Sequence, residues 1–301
     1  MAHDHAHADL TNGRRLVIAI GITATVFVVE VIGAFLSGSL ALLADAGHML
    51  SDLTALVIAL VAVRISARPA TDRFTYGARR SEVFAAAVNG LILLGVVVYV
   101  AVEAVSRLLE PSEVAGAPML VFAAVGALAN VAALLVLRGG RSNSINMRGA
   151  YLEVLGDLVG SIAVIVAGIV ILTTGLLAAD GIASLLVAAL IAPRAIALLR
   201  EAIGVLGEST PRGTDVALIR IHVSATEGVV EVHDVHVWSI TPGVNVFSAH
   251  VVVEQAVFTE GRTGALLDDL GSCLADHFDV EHSTFQLEPA EHAAHGEHGH
   301  R

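Results

Sequence analysis

Residues 40–63 read LALLADAGHMLSDLTALVIALVAV. This apolar run is long enough to cross the hydrocarbon core of a bilayer, which takes about 20 helical residues. Ionisable side chains nevertheless lie inside it, among them His48 and Asp52. These two are four residues apart, so in a helix they project from the same face. Ionisable side chains are costly inside a membrane, and such a pair indicates an ion pathway.

A second pair with the same spacing, Glu153 and Asp157, lies in residues 149–161, GAYLEVLGDLVGS. Four such side chains from two neighbouring helices can close a tetrahedral site around a divalent metal ion. The competing interpretation of His48 and Asp52 is a buried hydrogen-bonded pair that only joins two helices. The presence of the second pair favours the metal site.

The composition is that of a membrane protein. Of 301 residues, 55% are hydrophobic, and the mean hydropathy is +0.76. A chain of this length could form two soluble domains, but this hydrophobicity favours a membrane protein. Six runs are long enough to span a bilayer: 16–36, 40–63, 83–105, 117–137, 150–172 and 178–199. We therefore predict an all-α bundle of six transmembrane helices.

The arginines predict the orientation of this bundle. All 17 basic residues are Arg, and most lie before the first run, between runs two and three, between runs four and five, or after run six. The last group, around the end of run six, comprises Arg194, Arg200 and Arg212. Positive loops face the cytoplasm, so both termini are predicted to be cytoplasmic, in a bacterial plasma membrane. The start of the sequence shows no basic segment followed by a cleavage site, so we predict no removable signal peptide. The single Cys273 excludes an internal disulfide.

The composition changes after Glu208 to that of a small soluble domain. We predict a helix at 215–223, strands at 229–240 and 244–254, a helix at 259–278 and a strand at 283–287. This order, αββαβ, suits an open-faced α+β sandwich. The predicted divisions are a His-containing tail (1–14), the membrane domain (15–205), the cytoplasmic domain (206–290) and a His-rich tail (291–301).

Several motifs occur together in this chain: ADAGHMLSD at 44–52, GAYLEVLGDLVGS at 149–161, TYG at 75–77, RSE at 80–82 and HDVHVW at 233–238. Together these motifs resemble those of the cation diffusion facilitator family, in its zinc, cadmium and cobalt exporter branch. The resemblance covers residues 15–289. It implies six membrane helices followed by a cytoplasmic ferredoxin-like domain, assembled as a homodimer.

The resemblance also implies an activity, the export of zinc or related divalent metals from the cytoplasm in exchange for protons. His48, Asp52 and Asp157 are the implied transport-site ligands. At position 153 the zinc-preferring members usually carry His, whereas this chain carries Glu153. Oxygen ligands move the preference toward harder ions, so a manganese or iron exporter is the alternative to zinc. A membrane metal sensor or a passive channel with the same site is a second alternative.

Protons must leave the site when metal binds, because metal ligands have to be deprotonated. Glu153 and His48 are therefore candidate proton carriers. Asp45 and Glu30 are among the further acidic residues in the apolar runs. We predict that Asp45 orients the His48 ring or belongs to a proton relay, with a structural role as the alternative. Glu30 is either part of a relay or a hydrogen-bond partner between helices.

The cytoplasmic domain holds a possible second metal site. His233, His250 and Glu288 match, by their positions in the strands, residues that some family members use for regulatory metal. Exposed histidines without a metal are the alternative. The two tails add seven histidines, which we interpret as weak, disordered metal-binding tracts or as solvated ends without function: His3, His5, His7, His292, His295, His298 and His300.

Other functions are not supported. The formal net charge is -12 and no basic stripe is present, so we predict no nucleic-acid partner. No hydrolase or transferase constellation and no phosphate-binding glycine loop appear. We therefore predict no enzyme activity and no organic cofactor, with zinc as the transported substrate and protons as the counter-ion.

Overall fold

The computed structural model describes residues 2–66, 70–138, 145–278 and 280–293, with side chains over most of these ranges. Six long helices come first, followed by shorter elements. The membrane helices are α1 (Ala2–Ser37), α2 (Leu40–Ser66), α3 (Arg80–Leu109), α4 (Gly116–Arg138), α5 (Ile145–Thr174) and α6 (Ala178–Leu206). The rest are α7 (Val216–Ser224), β1 (Val229–Thr241), β2 (Val244–Val253), α8 (Gln255–Thr259), α9 (Thr263–Phe278), β3 (Val280–Pro289) and α10 (Ala290–Ala293).

The six long helices coincide with the six predicted runs, and the predicted fold class is confirmed. In the described part of the chain, α1, α3, α4, α5 and α6 are long and apolar enough to cross a membrane. The remaining helix, α2, has 27 residues and is therefore about 40 Å long. One expectation was wrong: α1 begins at Ala2, so the first tail has helical backbone, consistent with the high helix propensity of its alanines.

The chain forms two compact units, residues 1–59 with 88–199 and residues 60–87 with 200–301. In the first unit, one apolar cluster joins α1, α2, α4, α5 and α6, and a second joins α2, α3 and α6. Small residues permit close approach of α4 to α1. A Cβ atom at Gly33 would overlap the Phe122 ring, and one at Gly126 would overlap Oε1 of Glu30.

A buried carboxylate on α6 fixes the start of α2. Asp180 is 1% exposed and accepts hydrogen bonds from the Ser39 hydroxyl at 2.6 Å and from the backbone N–H groups of Leu40 at 2.9 Å and Ala41 at 3.3 Å. The first N–H groups of a helix lack partners within it, so Asp180 caps α2 from another helix. Arg107 lies 3.4 Å from the same carboxylate. The cap holds the helix that carries His48 and Asp52.

The second unit contains a three-stranded sheet in the order β1-β2-β3, antiparallel between β1 and β2 and parallel between β2 and β3. Its apolar core is formed by α7, α9 and the strands. The predicted helix 259–278 corresponds to α9, which begins later, at Thr263, and a short helix that was not predicted, α8, precedes it. Gly261 between them has φ +69°, a left-handed conformation that ends a helix.

Two motifs before and at the start of α3 also belong to the second unit. Arg80 donates a hydrogen bond to Glu208 at 2.9 Å, and Glu82 accepts one from the Thr241 hydroxyl at 3.2 Å. The Tyr76 ring lies edge-on to the ring of His282, with 5.8 Å between their centroids. The TYG and RSE segments are therefore joined to the cytoplasmic part of the chain by specific polar and aromatic contacts.

Candidate metal centre

Helices α2 and α5 bring three predicted ligands together. Nε2 of His48 lies 3.6 Å from Oδ2 of Asp52 and 3.3 Å from Oδ1 of Asp157. The side chains of these residues are 12%, 8% and 2% exposed. One ligand atom from each lies within 4.8 Å of the others, which is close enough for one ion to contact all three. The spacing of His48 and Asp52 by one helical turn produces half of this arrangement directly.

The trio contains buried polar atoms without hydrogen-bond donors. In the described part of the chain, Nδ1 of His48 is buried and makes no hydrogen bond. Oδ1 of Asp157 is also buried, and apart from its 3.3 Å contact with Nε2 of His48 it has no hydrogen-bond partner among the described residues. Buried polar groups are normally satisfied, and buried carboxylates need a positive partner. The arrangement is therefore suited to a cation.

Glu153 lies outside this compact trio. Its side chain is 34% exposed, and its carboxylate accepts a hydrogen bond from Nη2 of Arg194 on α6. The same Nη2 atom lies 2.7 Å from Oδ1 of Asp52. Arg194, which the sequence grouped with the arginines around the end of run six, contacts the site residues through its guanidinium. The available signal was its position inside the sixth apolar run.

Asp45 does not orient the His48 ring, contrary to one expectation. Its carboxylate accepts a hydrogen bond from the Ser161 hydroxyl at 3.4 Å, while Nδ1 of His48 has no hydrogen-bond partner among the described residues. Glu30 is fully buried, and within the described residues no donor reaches its carboxylate oxygens. The roles of Asp45 and Glu30 in a proton relay stay predictions.

The sheet of the second unit brings the other three predicted residues together. His233 and His250 are paired across β1 and β2, and Glu288 lies on β3 next to them. Oε2 of Glu288 lies 3.3 Å from Nε2 of His233, and its Oε1 lies 2.9 Å from Nδ1 of His250. One ligand atom from each lies within 4.8 Å of the others. Gln286 donates a hydrogen bond to Oε1 of Glu288 at 2.6 Å.

Asp234, which the sequence did not single out as a ligand, adds a second carboxylate near this group. Its backbone has φ 52° at an irregularity of the β1–β2 pairing between His233 and His236. Its carboxylate lies 3.0 Å from Nε2 of His236 and 3.8 Å from Nε2 of His250. A bulge of this kind re-aims side chains. The histidine side chains of both tails lie outside the described residues.

The matches to known proteins agree with this architecture. Residues 16–206 match the cation efflux transmembrane domain, and residues 211–290 match the cytoplasmic domain of cation efflux proteins. The chain belongs to the cation efflux family, the cation diffusion facilitators, and is an integral membrane protein.

Individual relatives are similar over nearly the whole chain. The metal cation efflux system protein CzcD of Cupriavidus metallidurans is 40% identical over 298 residues, which is 98% of this chain and 93% of the relative. The zinc transporter ZitB of Escherichia coli is 42% identical, over 96% of this chain and 93% of the relative. A cadmium, cobalt and zinc/H(+)-K(+) antiporter of Bacillus subtilis is 37% identical, over 96% of this chain and 93% of the relative.

One solved structure covers the end of the chain. It is the metal-bound C-terminal domain of the CzcD transporter from Cupriavidus metallidurans. It is 39% identical and covers 25% of this chain and 99% of the solved chain, with a TM-score of 0.23.

Proposed function

We propose that this protein exports zinc from the cytoplasm in exchange for protons, with cadmium and cobalt as further substrates. The observation that carries the proposal is the buried trio of His48, Asp52 and Asp157 between two membrane helices. Similarity to ZitB, whose name specifies zinc, and to the antiporter, whose name specifies cadmium, cobalt and zinc, supports it.

The donor set favours zinc over harder ions. One imidazole nitrogen and two carboxylate oxygens leave a fourth position for water or for Glu153, and zinc accepts a tetrahedral site of nitrogen and oxygen ligands. Manganese prefers oxygen ligands in an octahedral arrangement, which the trio does not supply by itself. A manganese or iron exporter is therefore the less favoured alternative.

Export requires the site to face each side of the membrane in turn, and protons provide the exchange. Metal binding needs deprotonated ligands, so protons leave when zinc enters and return when zinc leaves. We further propose that the protein is a homodimer in a bacterial plasma membrane with both termini in the cytoplasm. In this proposal residues 15–205 form the membrane domain and residues 206–290 the cytoplasmic domain.

Vesicles containing the purified protein and an internal pH dye provide the test of substrate choice. Zinc, cadmium, cobalt, manganese and iron(II) are added separately under an imposed proton gradient. We expect metal-dependent proton flux with zinc, cadmium and cobalt. Flux driven by manganese but not by zinc would assign the protein to a harder ion. Metal binding without proton flux would favour a sensor or a channel.

We also propose that His233, His250 and Glu288 bind a regulatory metal ion in the cytoplasmic domain. The support is the convergence of two imidazoles and a carboxylate on one face of the sheet. The carboxylate residue, Glu288, is only 3% exposed. Asp234 is a candidate fourth ligand through its carboxylate.

The substitution His250→Ala is expected to remove zinc-dependent protection of β1–β3 from hydrogen exchange in the full-length protein, since a metal that binds the folded state stabilises it. Zinc should still protect residues around Asp157. His222→Ala is a suitable control, because His222 lies on α7 away from the sheet face. Equal zinc protection of the strands in the parent and in His250→Ala would contradict the regulatory site.

A further inference from the structure

Arg194 is an unusual neighbour for a cation site. Its Nη2 atom is shared between Oδ1 of Asp52, at 2.7 Å, and the carboxylate of Glu153. Its Nη1 atom lies 3.4 Å from Nε2 of His48. One guanidinium therefore contacts residues on both helices that supply the candidate ligands.

The position of this arginine has a cost that its contacts offset. A cationic side chain inside a membrane is unfavourable unless it is paired, and the same holds for the carboxylate of Glu153. Pro193 precedes Arg194 inside α6 and lacks the N–H group that would continue the helix hydrogen bonds. Arg194 and Glu153 compensate each other's charge, since the guanidinium and the carboxylate are in hydrogen-bond contact.

The formal charges explain what the pair does for the site. With His48 neutral, the carboxylates of Asp52, Glu153 and Asp157 carry three negative charges, and Arg194 returns one positive charge. The net charge of two negative units equals that of a site with two neutral histidines and two aspartates. The glutamate at position 153 therefore leaves the charge presented to a divalent ion unchanged, provided that Arg194 is present.

We propose that Arg194 is a built-in counter-cation of the transport site, paired with Glu153, which sets the affinity for the divalent ion by neutralising Glu153 and competing for Asp52. This inference rests on the proposed function. A metal ion that binds Oδ1 of Asp52 competes with the guanidinium for that oxygen, because two cations at contact distance from the same atom repel each other. Arg194 thus weakens binding and returns to Asp52 when the metal leaves.

The test is a double-mutant cycle on the full-length protein, with zinc dissociation constants measured by calorimetry and with zinc-driven proton flux in vesicles. Arg194→Gln leaves three negative charges and is expected to bind zinc at least about fivefold more tightly, with a lower maximal flux because release is slower. Glu153→His leaves a net charge of one negative unit, with Arg194 paired to Asp52 alone, and is expected to bind zinc at least about fivefold more weakly.

The double variant Glu153→His/Arg194→Gln restores two negative charges and is expected to return to within about threefold of the parent. Arg194→Lys keeps the positive charge, so its zinc dissociation constant should be close to that of the parent. This variant separates the effect of the charge from that of the side-chain shape. Arg200→Gln, an exposed position on the same helix, is the matched control. Because the double variant has the same net charge as the parent, it remains informative even where a single variant is unstable.

Tighter zinc binding by Glu153→His than by the parent would overturn the inference, and so would a double variant that binds zinc as weakly as Glu153→His alone. A parent protein that binds zinc without moving protons would instead contradict the proposed function. These two failures are distinct, because the affinity order of the variants is measured independently of flux.

Discussion

Asp157→Ala is expected to lower zinc-driven proton flux at least about a hundredfold. Loss of groups that merely support metal ligands reduces activity 10- to 100-fold, and Asp157 is itself one of the three candidate ligands. Its side chain is 2% exposed and lies 3.3 Å from the ring of His48. Without it, His48 and Asp52 alone cannot hold the ion against hydration. Flux assays in vesicles measure the effect, together with zinc binding by calorimetry.

Two comparisons make this prediction specific. Asp157→Asn keeps the shape but not the charge, and it should lose nearly as much flux. Asp268→Ala, on the exposed face of α9, removes a carboxylate far along the chain and should leave flux unchanged. If Asp157→Ala retained a tenth or more of the parental flux while folding normally, the trio would not be the transport site.

Asp180→Ala is expected to lower the free energy of unfolding of the protein by about 3 kcal/mol, since it removes a helix cap and leaves buried donors without an acceptor. Three donors of the α2 start converge on this carboxylate, and Arg107 loses a partner. The thermal midpoint in detergent, followed by Trp238 fluorescence and by light scattering, measures the loss.

A graded series strengthens the argument. Ser39→Ala removes one hydrogen bond to Asp180 and should cost about 1 kcal/mol, clearly less than Asp180→Ala. At a temperature below both midpoints, zinc affinity should remain close to that of the parent, because Asp180 does not contact the trio. An unchanged midpoint in Asp180→Ala would show that α2 does not depend on this cap.

The sequence predicted the six spans and the pairs on α2 and α5 because both signals are local. Apolar runs have a length fixed by the bilayer, and residues four apart share a helix face. The convergence of His48, Asp52 and Asp157 follows once α2 and α5 are adjacent. Which of four candidate ligands forms the compact group does not follow, since this depends on Arg194 of a third helix.

Arg194 and Asp180 were missed for the same physical reason. Each acts on a residue more than a hundred positions away, and neither has a local pattern that distinguishes it. An arginine near the end of an apolar run resembles an orientation signal, and an acidic residue near a helix start resembles a dipole partner of its own helix. Asp234 was missed because its orientation depends on a bulge, and the position of a bulge is set by strand pairing.

The decisive measurement is uphill zinc movement. Vesicles with equal zinc on both sides receive a proton gradient, and zinc inside is followed with a fluorescent indicator. We predict zinc accumulation on the acidic side against its own gradient, abolished by a protonophore and absent in Asp157→Ala. No accumulation under these conditions, together with zinc entry when zinc is added to one side only, would contradict antiport and identify a passive channel.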